Sequence, residues 1–219
     1  MPLHWTASRF GSGRSPWPRR YLRWVGRVAG ARVRIVGTPL ARDVVFVSNH
    51  ISPLDILVLA GASGTAFVAK GELEDVPVVG ALCDMNNTLY IKRDSRAAVA
   101  TQIATIRRAL ADGWPVTLFA EGTTGDGRAV APFKPALLGV LTPPPPGVRV
   151  QPVALDYGPA EEIAWTTETG WQNTSRLFAR AGRVPVTVRF LEPLDPDECG
   201  DRKAIAAAAH RAVAAALAR

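Results

Sequence analysis

Cysteine and histidine are scarce in this chain, long apolar runs are missing, and one whole region has no acid. Only two cysteines, Cys83 and Cys199, occur in 219 residues. They are too few and too far apart for a disulfide framework or a thiolate metal site, and are expected to fill core or near-surface positions. No apolar stretch reaches the roughly 18 residues of a spanning helix. Met1 to Pro18 lacks the continuous apolar segment of a signal peptide. No cluster of ligand-type residues points to a metal, and no internal repeat is visible. With 47% apolar residues the chain can bury a sizeable core, which excludes global disorder.

The missing acid is confined to the N-terminus. Residues 1–42 hold nine arginines and no carboxylate, and Asp43 is the first acid. Beyond them 17 Lys and Arg face 19 Asp and Glu, so the whole net charge of +7 belongs to this arm. A positive arm favours an anionic membrane surface or nucleic acid. At about 100° per residue, Trp17, Tyr21, Trp24, Val25 and Val28 share one sector of a helical wheel, and Arg19, Arg20, Arg23 and Arg27 share the next. Aromatic and arginine sectors side by side suit a helix lying in a membrane interface. Packing of the apolar sector on the protein's own core is the other reading, and the pattern leaves both open. For a nucleic-acid binder the charge is the only support; no helix-turn-helix or stacking-sheet signature accompanies it.

After the arm, short β-branched runs alternate with helical stretches. Strands are expected at 33–36, 44–48, 65–69, 89–92, 115–119, 148–155 and 184–190. Helices are expected at 54–60, 95–111, 174–180 and 202–218, with Asp94 capping the second and an extended connector over Pro143–Pro146. This alternation predicts one α/β domain at 33–219, a mixed and largely parallel sheet flanked by helices. A basic, aromatic membrane-interface arm at 1–32, carrying the amphipathic helix, precedes it. Chemistry in such folds sits at the carboxyl ends of strands.

One such end reads Ser48-Asn49-His50-Ile51-Ser52-Pro53-Leu54-Asp55, and it carries one of only three histidines. Ser52 suits a helix N-cap, Pro53 the first helical position, and Asp55 the third, which is a capping box with aspartate for glutamate. Two residues five apart on one helix lie roughly 140° apart and could not meet. With His50 in the turn before the cap, however, its ring can fold back to Asp55. The carboxylate would then hold one ring nitrogen protonated and leave the other to take a proton from a hydroxyl. Spacing alone allows both the cap and the base.

Three further stretches follow. Leu89-Tyr90-Ile91-Lys92-Arg93 ends in an arginine whose planar fork can grip a phosphate or cap the next helix region from the surface. Phe119-Ala120-Glu121-Gly122-Thr123-Thr124 opens a strand into glycines whose N–H groups can face an anion, with threonine hydroxyls beside them. Val150-Gln151-Pro152-Val153-Ala154-Leu155 is an apolar strand containing proline, and Phe133-Lys134 stands between. In this order, Asn49–Asp55 and the three later blocks resemble the four motifs of the glycerolipid acyltransferases, the lysophosphatidic-acid (PlsC-like) type. The likeness runs from about Val33 to Leu155, and its first motif is a histidine and an aspartate separated by four residues (HX4D).

The resemblance implies His50 and Asp55 as catalytic residues. It implies Arg93, Glu121, Gly122, Thr123 and Lys134 as substrate-binding, supported by Asn49, Ser52, Thr124 and Pro152, with the Pro152 strand lining the acyl or acceptor pocket. Glu121, odd beside a phosphate, would pair with Arg93 or bond an acceptor hydroxyl and shape its loop. The implied activity is O-acylation of a lysophospholipid, foremost 1-acylglycerol-3-phosphate, from acyl-CoA or acyl carrier protein, with no cofactor and no metal. Another lysolipid such as lyso-ornithine lipid, or a membrane-lipid-binding relative without activity, fits the same motifs. The implied location is peripheral, on the cytoplasmic face of the membrane. Two positions depart from the pattern: Asn87 replaces the family's glycine and Ala120 its proline.

Overall fold

In the strand Val44–Ser48 the first four positions are apolar in succession rather than alternating, the pattern of a strand covered on both faces. In the computed structural model, which describes residues 16–70, 88–91, 96–166, 170–180 and 182–218, this strand, β2, lies at the middle of the sheet. Val44 and Phe46 point into one apolar cluster with Leu54, Val58 and Leu59. Val45 and Val47 point into a second with Ile106, Leu110, Ile205 and Val213. The period of two along one strand thus feeds two cores.

The elements run α1 (Trp17–Val28), β1 (Ala31–Val36), β2 (Val44–Ser48), α2 (Leu54–Ser63), β3 (Ala66–Lys70) and β4 (Leu89–Ile91). Then come α3 (Arg96–Ala111), β5 (Val116–Phe119), a 3-10 segment (Pro135–Leu141), β6 (Arg149–Tyr157) and α4 (Ala160–Ile163). The chain closes with α5 (Gly170–Ala179), β7 (Val184–Phe190), α6 (Pro196–Cys199) and α7 (Arg202–Leu217). The described strands form one seven-stranded sheet in the order β1-β7-β6-β2-β5-β3-β4. Only the β6–β7 pair is antiparallel, so the sheet is mixed and largely parallel, as the alternation predicts. β2 pairs in parallel with β6 on one side and β5 on the other. The carboxyl ends of these three strands therefore open at one edge, where the strand order switches.

Two boundaries differ from the sequence reading in ways that matter. β1 starts at Ala31, so the expected border between residues 32 and 33 falls inside it. β6 continues past Leu155 to Tyr157, because its antiparallel partner β7 pairs Tyr157 with Val186. Asn87, Arg93, the Asp94 cap and Cys83 lie outside the described residues, while Cys199 packs at the edge of the second cluster.

Helix α1 buries Pro18, Leu22 and Gly26 against the body of the protein and leaves Trp17, Tyr21, Trp24 and Val28 exposed. The apolar sector of the wheel is thus not the packed face. Contact with α2 is close because Gly61 has no side chain: a Cβ there would stand 2.9 Å from the Arg23 Cα. Arg23 donates to the Gly61 carbonyl from Nε at 3.0 Å and from Nη2 at 2.6 Å. Arg19 Nε reaches the same carbonyl at 3.3 Å, and its Nη2 donates to Ala62. Two of the four sector arginines therefore cap the negative end of α2.

Candidate active site

The turn after β2 is held by its own side chains. Asn49 acts like one more strand residue: its Nδ2 donates to the Leu155 carbonyl at 3.0 Å, and its Oδ1 accepts from Leu155 N at 2.8 Å. This carries the β2–β6 ladder one step beyond Ser48 and fixes β6 against the turn. The chain then bends at His50, whose carbonyl accepts from Gly125 N at 2.7 Å.

Asp55, fully buried, sits under the bend. Its Oδ2 accepts from His50 Nδ1 at 2.7 Å, from Ile51 N at 2.7 Å and from Ser52 N at 3.0 Å. The helix begins at Leu54 with Pro53 as its N-cap, one residue later than expected, so only half of the expected capping box forms. Asp55 takes the Ser52 N–H, while the Ser52 hydroxyl accepts from Leu54 N at 3.3 Å and Asp55 N donates to the Ser52 carbonyl. The same carboxylate oxygen serves the backbone of the turn and the imidazole. Held through Nδ1, the His50 side chain is 17% exposed. Nε2 has no hydrogen-bond partner among the described residues. The ring lies flat on Phe119, centroids 3.9 Å apart and planes 12° apart, and Phe67 stacks behind Phe119 at 5.7 Å.

Glu121 joins the turn to the glycine loop. Its Oε1 accepts from His50 N at 2.7 Å and its Oε2 from Ala131 N at 2.9 Å. Among the described residues these contacts tie the loop to the turn. Burial holds the Glu121 carboxyl above the usual carboxylate range; the two N–H bonds and the His50 charge act in the opposite direction, and the nearby Asp55 charge adds to the rise. Ala120 does more than leave out a ring. Its N–H donates to the Ser48 carbonyl at 3.3 Å, a bond that proline could not make.

The other expected residues divide by what they touch. Gly122 has φ of 76°, and a Cβ there would lie 3.1 Å from Lys134 Nζ, so glycine is required and the ammonium lies against the loop. Thr123 is exposed, whereas Thr124 Oγ1 donates to the Trp165 carbonyl at 2.6 Å and Trp165 N donates to Ile51. Pro152 is buried within the sheet, opposite Val47. It is the end of β6, at Leu155, Asp156 and Tyr157, that lines the adjoining cleft.

That cleft has a volume of about 710 Å³ and is bordered by Asn49, His50, Glu121 and residues 155–162. Asp156, Glu161, Glu162 and Arg128 are among the charged residues that line it. The carboxylates meet arginines: Glu161 with Arg128 at 3.1 Å, Glu162 with Arg180 at 2.6 Å and Asp156 with Arg189 at 3.2 Å.

Two contributors were missed in the sequence. Phe119 carries the imidazole on its face. Tyr157, 1% exposed, donates from its hydroxyl to Asp55 Oδ1 at 2.6 Å. The usable signal was parity: Val153, Leu155 and Tyr157 alternate onto one face of β6, the face covered by α2.

The histidine–carboxylate pair stands at a parallel-strand switch point beside a cleft, the place where α/β folds carry their chemistry. The acyltransferase family matches residues 32–156, more than half the chain, and this chain belongs to it. A lyso-ornithine lipid O-acyltransferase of Brucella abortus (strain 2308) is 34% identical over 221 residues, covering 92% of this chain and 83% of the relative. A 1-acyl-sn-glycerol-3-phosphate acyltransferase of Neisseria gonorrhoeae is 28% identical over 174 residues, covering 74% of this chain and 64% of the relative. The crystal structure of the 1-acyl-sn-glycerophosphate acyltransferase PlsC from Thermotoga maritima superposes with a TM-score of 0.72 at 21% identity. It covers 99% of this chain and 86% of that one, and shows the same fold.

Proposed function

We propose that this acyltransferase moves a fatty acyl group from a thioester to the hydroxyl of a lysolipid, with His50 as general base. The observation that carries this reading is the 2.7 Å bond from His50 Nδ1 to the buried Asp55, which presents Nε2 as the basic nitrogen. As the acceptor oxygen attacks the thioester carbonyl, its proton passes to Nε2 and Asp55 supports the imidazolium. The carbon–sulfur bond then breaks, and the leaving thiolate takes the proton from His50. A base of this kind contributes about 10²–10⁴-fold. Coenzyme A or acyl carrier protein is the thiol by analogy with the family. In this reading Arg93 and Lys134 hold the acceptor's anion beside the Gly122–Thr123 loop.

For the acceptor, lyso-ornithine lipid stands first and 1-acylglycerol-3-phosphate second. Four relatives named for lyso-ornithine lipid are matched over 86–97% of this chain. Ornithine supplies an ammonium and a carboxylate where the phosphate ester supplies a dianion. The cleft is edged by Asp156, Glu161 and Glu162, each already paired with an arginine, so it offers both signs of charge to that mixed headgroup.

The bilayer contact in this reading is the outer face of α1, where Trp17, Tyr21 and Trp24 are exposed beside Arg20 and Arg27. Among the described residues no helix is long and apolar enough to cross a membrane. Attachment is then peripheral, on the cytoplasmic side where acyl thioesters are made.

An acceptor panel with one labelled acyl-CoA tests the assignment. Thiol release should require a lysolipid and should be fastest with lyso-ornithine lipid. Equal release without any acceptor would remove the transferase reading, and exclusive use of lysophosphatidic acid would reverse the order of acceptors. Tighter binding to duplex DNA than to anionic liposomes would sink the membrane contact.

A further inference from the structure

We propose that Tyr157 is a third member of the His50–Asp55 unit, a positioning residue that holds the Asp55 carboxylate in the plane from which it orients the imidazole. This rests on the reading of His50 as the base.

The two oxygens of Asp55 have separate tasks. Oδ2 takes the His50 Nδ1–H and the N–H groups of Ile51 and Ser52, all on one side. Those three donors fix one oxygen but leave the carboxylate free to pivot about it. Tyr157 fixes the second point: its hydroxyl lies 2.6 Å from Oδ1. Two anchored oxygens define a plane, and the plane sets the direction in which Oδ2 meets the imidazole. The carboxylate it meets is fully buried, so the bond is made where no solvent competes for the oxygen. Burial, the Asp55 charge and this bond hold the Tyr157 phenol well above its ordinary pKa, so it stays a donor throughout the working range.

Placement of that hydroxyl traces back to the first residue of the turn. Asn49 bonds both backbone groups of Leu155. Tyr157 lies two residues on, hence on the same face and directed at α2. A register slip of one residue would turn its ring to the other side of the sheet. Asn49 and Tyr157 therefore act as one device: the amide sets the strand, and the strand sets the phenol.

The test is Tyr157→Phe, which keeps the ring and removes the donor. With acyl-CoA and a lysolipid acceptor in detergent micelles, kcat should fall on the order of tenfold to a hundredfold while KM for the acceptor stays near its wild-type value. The low-field proton resonance of the His50 Nδ1–H should move or broaden, which loss of packing alone would not cause. Unchanged kcat together with an unchanged resonance overturns the proposal.

If the phenylalanine variant does not fold, 3-fluorotyrosine placed at 157 keeps both ring and hydroxyl and alters only donor strength. A shifted His50 resonance then supports the role, and an unshifted one overturns it. His50→Ala separates the two readings. Wild-type turnover in His50→Ala removes the base assignment and this role with it. An inactive His50→Ala beside an unaltered Tyr157→Phe removes the role of Tyr157 alone.

Discussion

In the histidine turn, Asn49, Ser52, Asp55 and Glu121 are polar yet no more than 2% exposed. In helix α1, Trp17, Tyr21, Trp24 and Val28 are apolar yet 40–58% exposed. Both regions depart from ordinary burial, in opposite directions, and these departures are the informative ones. A polar group inside a protein costs free energy unless its bonds are made, and the turn makes them: each of its four buried polar side chains has a backbone partner. An aromatic face outside costs little in water but gains by meeting an apolar phase. The first region is finished within the chain; the second, in the proposed reading, is completed by a membrane surface beyond it.

Substitutions at Asp55 probe the finished region hardest. Asp55→Ala strands the donors of Ile51, Ser52 and Tyr157 in the interior, and should lower stability by about 3–5 kcal/mol in a urea melt. Asp55→Asn keeps an acceptor for the turn but not the charge. It should retain most of the stability while acyl transfer falls ~10²–10⁴-fold. Full activity in a folded Asp55→Asn enzyme would reduce the carboxylate to a cap.

A smaller effect belongs to Glu121→Gln, which sets an amide NH2 against the N–H of either His50 or Ala131. A loss of about 1–3 kcal/mol is expected. The pH dependence should change as well. The Glu121 carboxyl is raised in the folded protein, so the folded state binds its proton more tightly than the unfolded chain does. Stability from this residue is fully present below the ordinary carboxylate value and is lost as pH rises through the raised one. Glu121→Gln should flatten that part of the stability profile, and an unchanged slope would count against the buried carboxyl as its source.

For the open region the double substitution Trp17→Ala, Trp24→Ala should leave melting and micellar turnover unaltered. Binding to anionic liposomes should weaken on the order of tenfold. A matching loss of stability would mean that the face packs within the protein after all.

What the sequence disclosed follows the same division. β2 and β7 were legible to the residue, because continuous or strictly alternating apolar runs leave one register that buries them. The Asp55 half of the capping box and the fold-back of His50 were legible as two readings of one spacing. That a single oxygen serves both was not, since it depends on the angle of the bend. Tyr157 and Phe119 were not legible as site residues. Their approach to the turn is set by strand pairing between segments up to about a hundred positions apart, which no local pattern carries. In α1 the wheel located the aromatic face correctly but could not tell which face would be outside. Gly61, by allowing the two helices to approach, decided that.

The central claim is that the turn exists to present a base. It is tested most directly by acceptor-dependent thiol release from acyl-CoA, measured for His50→Ala beside the unaltered enzyme, with liposome binding and thermal melting recorded on the same samples. The account predicts a fall of about 10²–10⁴-fold in turnover with binding and melting retained. Turnover at the wild-type rate in the folded variant would contradict it.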